Sequence, residues 1–288
     1  DPFNMWYPDD YDSEMTGIAG EESPPLIVEV LDEDSLPVYG TPVTFTVNPS
    51  EGSNGEIIGD RTVTTDMYGQ ASVRFRMDTR ADFISWIYAQ HSNLAHKVWF
   101  KATSKAGEAV NIAAIGSTTL TDKKIGTTLT LKVVVTDSYG NAIEGEWVEF
   151  EKMKGDAEFL DASEIETDEN GQASVPVKLG NQAGEIKIHA KGNLVGSPVV
   201  FTIYSTTSEQ DASQIVRFPS ATGTIMGKAG EYLPDSLYVR VIDDYGNPVN
   251  NQPVLFRILQ SGTGALISGD GREYSDSRGI ASVAFQCG

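Results

Sequence analysis

A chain of 288 residues with 41 acidic against 21 basic side chains carries a formal net charge of -20, which repels phosphate backbones and anionic lipid and so excludes nucleic acid and direct membrane insertion as modes of action. Hydrophobic residues make up 40%, enough for real cores, yet no run of about 18 apolar residues is present to span a bilayer. With 28 glycines, 13 prolines and no long helical periodicity, the pattern is that of many short strands joined by turns.

The first expected strand covers Phe3 to Tyr7, with Asp9, Asp10 and Asp12 in the loop after it. Val28-Glu29-Val30-Leu31 then alternates as a strand and enters the turn Asp32-Glu33-Asp34-Ser35-Leu36-Pro37-Val38. Phe45 lies on the next strand, and Thr65-Asp66-x-x-Gly69-Gln70-Ala71-Ser72-Val73 re-enters the sheet after a second turn. Strands around Phe83 to Ala89 and Val98 to Ala102 close this unit.

The same order then returns. Leu131 to Val135 lead into Asp137-Ser138-Tyr139-Gly140-Asn141, Phe150 follows, and Thr167-Asp168-x-x-Gly171-Gln172-Ala173-Ser174-Val175 repeats the second turn. Glu185 to Ala190 and Pro198 to Ile203 are the closing strands. A third copy places Val239 and Val241 before Asp243-Asp244-Tyr245-Gly246-Asn247-Pro248-Val249, then Phe256, then Ser275-Asp276-x-x-Gly279-Ile280-Ala281-Ser282-Val283. From Asp32 to Asp137 to Asp243 the period is about 105 residues, the size of one sandwich domain. Both motifs read as strand, turn, strand: the aspartate caps backbone amides and the glycine accepts a positive φ. The turn residues are therefore Asp137, Gly140, Asn141, Asp243, Gly246 and Asn247 in the first motif, and Asp66, Gly69, Asp168, Gly171, Asp276 and Gly279 in the second.

The Asp-x-x-Gly-Asn-Pro-Val turn, the Pro-Val-x-Phe strand and the Thr-Asp-x-x-Gly-x-Ala-x-Val strand resemble group 1 bacterial immunoglobulin-like domains, the modules stacked in the invasin and intimin adhesins. The resemblance runs over essentially the whole chain in three copies. Copy one departs from it where Ser35-Leu36 replaces Gly-Asn. What the resemblance implies is an all-β chain of three tandem immunoglobulin-like β-sandwich domains in an elongated row, each of seven or more strands. It also implies display outside a bacterial cell, a non-catalytic stalk, spacer or adhesin role, and no catalytic residues. The expected domains are 1–105, 106–207 and 208–288, with junctions near Lys105 and Ser208 and the third domain lacking its last two strands. Two expectations follow for that third domain: the chain is a piece of a longer array, or a neighbouring molecule donates the strands to form a fibre. The chain opens at Asp1 without a basic and apolar leader, so an export signal is expected to be cleaved or to lie upstream. The lone Cys287 can form no internal disulfide, which fits a reducing compartment or an exported protein that avoids cysteine.

Candidates for chemistry are few. Asp9, Asp10 and Asp12, and Asp32 and Asp34, are acidic enough to raise calcium as a cofactor, against turn capping as the plainer reading. His91, His96 and His189 have no metal-ligand spacing with cysteine or carboxylate, and neither a nucleophile elbow nor a phosphate loop is present. One surface stands out. Aligning Ala89 with Ala190 sets Ile84, Trp86 and Tyr88 against Glu185, Lys187 and His189, which alternate with inward Ile186 and Ile188; Trp99 falls against Val200. Ile84, Trp86, Tyr88 and Trp99 are then an outward aromatic face, suited to a host-surface protein or to stacking on a glycan. A register slip of one residue would bury them instead. The remaining expected partners are neighbouring domains of the same or an identical chain.

Overall fold

The computed structural model describes residues 1–207, 212–218, 225–259, 262, 264–266 and 270–288; Ser208, named above at the second junction, lies outside them. The chain is all-β, as three sandwiches in tandem.

In the first, β1 is Asn4–Trp6, β2 Glu14–Ile18, β3 Leu26–Leu31, β4 Pro42–Val47, β5 Glu56–Ile58, β6 Thr62–Thr64, β7 Gln70–Arg76, β8 Ile84–Gln90 and β9 Val98–Lys105. The second repeats the set: β10 is Asn111–Ala114, β11 Thr119–Lys124, β12 Thr128–Thr136, β13 Trp147–Lys154, β14 Ala157–Phe159, β15 Glu164–Glu166, β16 Gln172–Leu179, β17 Gly184–Lys191 and β18 Val199–Thr206. One sheet of the first sandwich is ordered β1-β3-β7-β5 and the other β2-β9-β8-β4-β6. The second sandwich has β10-β12-β16-β14 and β11-β18-β17-β13-β15, the same order strand for strand. In each, one edge strand runs parallel to its neighbour, β2 along β9 and β11 along β18.

Alternation along each strand makes the two layers. On β7, Ala71, Val73 and Phe75 are buried while Ser72, Arg74 and Arg76 face solvent. Met5, Leu26, Val28 and Val30 from one sheet meet Phe45, Ile87, Ala89 and Phe100 from the other in a single core, with the Phe45 and Phe100 rings 6.2 Å apart. In the second sandwich Leu131, Val133, Val135, Phe150, Ile186, Ile188 and Phe201 occupy the corresponding places. Each buried phenylalanine contributes about 3 kcal/mol by the area it removes from water.

The third sandwich comprises β19 Gln214–Arg217, β20 Leu237–Ile242, β21 Pro253–Leu255, β22 Gly264–Leu266, β23 Arg272–Tyr274, β24 Ile280–Val283 and β25 Phe285–Cys287. Its sheets are β19-β20-β24, β22-β25 and β21-β23, so β24 and β25 together stand where β7 and β16 stand in the others. Among the described residues no strand corresponds to β2, β8 or β9. Its buried cluster is correspondingly small, with Val241, Val249, Val254 and Ala281, and Phe218, Leu237, Val239 and Phe256 line an open groove.

Candidate functional site

The outward face of β8 and β9 is built by plain alternation. Ser85, Ile87 and Ala89 are buried; Ile84, Trp86 and Tyr88, between them, point away from the core. Antiparallel pairing then sets Trp86 opposite Lys101 and Tyr88 opposite Trp99. Ile84 is 41% and Trp99 38% exposed, while Trp86 and Tyr88 are half-buried. The Tyr88 and Trp99 rings lie 5.0 Å apart and the Trp86 and Trp99 rings 6.5 Å, edge to face. The Lys97 ammonium sits 3.7 Å above the Tyr88 ring and 5.9 Å from that of Trp99. Lys101 is tied to Glu14 on β2 at 2.8 Å. The structure thus brings the four residues onto one sheet face.

Sequence reading missed Lys97 and a second aromatic pair nearby in the fold. Trp6, 55% exposed, stacks on His96 at 5.3 Å, and His96 Nε2 lies 2.8 Å from the Met5 carbonyl, so that nitrogen carries the proton. Their signal is invisible locally because Trp6 is on β1 and His96 precedes β9. Flat rings beside a cation can bear on a sugar face or an apolar side chain. They form no nucleophile, base or oxyanion arrangement.

The predicted turn residues share one piece of chemistry. Asp66 Oδ1 accepts from the Tyr68 and Gln70 amides, Asp168 Oδ1 from Asn170 and Gln172, and Asp276 Oδ1 from Arg278 and Ile280, all at 2.8–3.0 Å. The first motif does the same: Asp137 Oδ1 holds the Tyr139 and Asn141 amides, and Asp243 Oδ1 those of Tyr245 and Asn247. Gly69, Gly171 and Gly279 take φ near +70°, and a Cβ on Gly171 would come 2.5 Å from the Val135 carbonyl oxygen. Gly140 and Gly246 also have positive φ but face open space.

Asn141 and Asn247 do more than end a turn. Asn141 Oδ1 accepts the Ala81 amide at 2.8 Å, and its Nδ2 donates to the Thr79 carbonyl at 2.9 Å, both in the first sandwich. Asn247 repeats this one unit later, accepting the Ala183 amide at 2.9 Å and donating to the Asn181 carbonyl. Asp137 Oδ2, fully buried, orients the Asn141 amide at 2.8 Å and accepts from Gly107 at 3.0 Å. Burial opposes the charge of Asp137, but the bonds from Gly107, Asn141 and Tyr139 outweigh it and hold the carboxyl below its ordinary range.

Two members of the acidic clusters, Asp12 and Asp32, are spent on backbone. Asp12 Oδ1 accepts the Glu14 amide at 2.9 Å, and Asp32 Oδ1 those of Asp34 and Leu36 at 2.9 Å. Asp9 and Asp10 lie in the turn after β1, and Asp34 in the turn after β3. Among the described residues no group of three or more histidines, cysteines, aspartates or glutamates is placed to hold a metal ion.

Repetition of strand order, turn chemistry and core defines one module. Residues 117–204 match the bacterial Ig-like domain of group 1. That span covers β11 to β18, nearly the whole second Ig-like module, and the first and third are built on its plan. The chain is also similar to the inverse autotransporter adhesin YeeJ of Escherichia coli strain K12, 25% identical over 263 residues. That match takes in 90% of this chain and 11% of YeeJ, so the chain spans about a ninth of the length of that relative. Among solved structures, the Escherichia coli adhesin FdeC aligns over 99% of this chain and 87% of its own at 15% identity, with a TM-score of 0.48. Invasin, described as a bacterial integrin-binding protein, aligns over 93% and 52% at 16% identity, with a TM-score of 0.36. No helix among the described residues is long and apolar enough to cross a membrane.

Proposed function

We propose that this chain is a stalk segment of a bacterial surface adhesin, non-catalytic, carried outside the cell, and made of Ig-like domains over 1–105, 106–207 and 208–288. The observation that carries this is the serial docking of like modules: the first turn of the second module and that of the third each reach back and bond the module before. An array in which every unit contacts only its neighbours gains length with each unit and suits projection. The match of the second module to the group 1 bacterial Ig-like domain and the similarity to the adhesin YeeJ support the same reading.

The test places the chain between an outer-membrane anchor and a fluorescent tip on a bacterial surface. Energy transfer from a membrane dye to the tip should fall stepwise as one, two and three modules are inserted. Transfer that stays constant with module number counts against a stalk.

A second reading has its own support. The Trp86, Tyr88 and Trp99 rings with Lys97 form a surface of the kind that anchors partners, so a host protein or glycan held on the first module would make it an adhesive unit. Titration with host-cell glycans or a candidate receptor should then shift tryptophan emission in the native chain but not in Trp99→Ala. Neither protein shifting under any ligand leaves the stalk reading alone.

A further inference from the structure

The first turn motif closes without its asparagine. The first module supplies the comparison. There Asp32 Oδ1 accepts the amides of Asp34 and Leu36 at 2.9 Å, as Asp137 accepts those of Tyr139 and Asn141. The Asp32 amide bonds the Leu36 carbonyl at 3.0 Å, and Asp137 bonds the Asn141 carbonyl at the same distance. The same turn therefore closes with Leu36, 58% exposed, where the other modules have asparagine.

Most of what the asparagine adds is directed at the preceding module, two of the three bonds of each side chain. A side-chain amide offers one acceptor and two donors, and Asn141 uses them on the Ala81 N–H, the Thr79 carbonyl and its own Asp137. Asn247 uses them on the Ala183 N–H, the Asn181 carbonyl and Asp243. Both receiving segments join the same two strands of their modules, β7 to β8 and β16 to β17. Both are also stiffened from within. In the first, Asp78 holds the Arg80 amide and guanidinium, Arg80 bonds the Gly52 carbonyl, and Asn54 bonds the Thr79 amide and hydroxyl. In the second, Asp156 holds the Gln182 amide and packs against Gly180. The bonds go to backbone, so any module with this loop geometry can be read whatever its side chains.

We infer that Asn141 and Asn247 are inter-module clasps: each fixes the angle between its own module and the one before it, and Leu36 marks a module whose leading turn lacks the clasp. The partner surface is the backbone of the loop between the seventh and eighth strands of a like module. At the first junction Tyr139 adds a second contact, lying over Gly20, where a Cβ would come 2.1 Å from the tyrosine hydroxyl. The inference deepens the stalk reading and rests on the same inter-module bonds; a junction that moves freely would refute the clasp, while energy transfer that ignores module number would refute the stalk.

The test uses the whole chain with Cys287→Ser and nitroxide labels on cysteines placed at exposed Ser92 and Ser163, one on each side of the first junction. Pulsed dipolar spectroscopy should give a narrow distance distribution for the parent and one roughly twofold broader for Asn141→Leu, since domains joined through a small interface move unless something holds them. Asn141→Asp, which keeps the acceptor and the size but loses the donor, should broaden it too. Melting should fall modestly for Asn141→Leu, which removes one of the bonds to Asp137, and further for Asn141→Asp, which sets a second carboxylate beside the buried Asp137. An unchanged distribution in both variants overturns the inference. So does loss of folding of the second module in both, which would make the asparagine a folding residue.

Discussion

Asp168 and Gly171 show how little freedom single positions have in this chain. One carboxylate oxygen of Asp168 satisfies two amides, and Gly171 lets the turn pass against the Val135 carbonyl with φ +69°. Gly171→Ala must both enter the left-handed region and displace that carbonyl or its strand. It should destabilise the second module by about 1–3 kcal/mol in chemical denaturation, whereas Gly140→Ala, with open space around it, should cost about 1 kcal/mol. Equal costs would show that the close approach is immaterial. Asp137 belongs to the same scale. Its carboxyl titrates lower folded than unfolded, so its contribution is present above the unfolded value of about 3.9 and is lost as pH falls through the lower folded value. The stability gap between the native chain and Asp137→Asn should therefore narrow as pH drops from about 5 to about 2; a gap constant with pH would mean that the charge of Asp137 does nothing there.

At the level of strands, neighbouring residues on β9 have opposite fates. Phe100 is wholly buried and Trp99 faces out. Phe100→Ala should cost about 3–5 kcal/mol through the cavity it leaves, and Trp99→Ala about 1 kcal/mol, chiefly its ring contacts with Tyr88 and Trp86. Denaturant unfolding of the two variants checks this, and similar losses would place both rings in the core. This outward set was readable in advance because Glu185, Lys187 and His189 of the second copy have to face water, and the repeat carries their register back to Ile84, Trp86 and Tyr88. Strands β2 and β11 were not readable. Glu14–Ile18 and Thr119–Lys124 are short edge strands with no buried residue, without the strong apolar alternation that marks β7 or β12. Trp6 and His96 were missed because their contact joins segments far apart in sequence.

For the molecule as a whole, the three-fold repeat announced the sandwiches, since a period of about 105 residues with paired turns admits few other folds. It did not announce how the sandwiches meet. Repetition says which residues recur, and Asn141 and Asn247 recur as part of a turn; that the turn presses on the previous module is a property of the assembled chain. On the proposed reading the clasped junctions stiffen the row of modules, and a net charge of -20 opposes association of chains. The most direct test is small-angle X-ray scattering of the full chain combined with multi-angle light scattering across a wide concentration range. The account predicts a monomer at every concentration with an elongated, asymmetric distance distribution. A compact distribution, or oligomers that grow with concentration as strand exchange into a fibre requires, would contradict it.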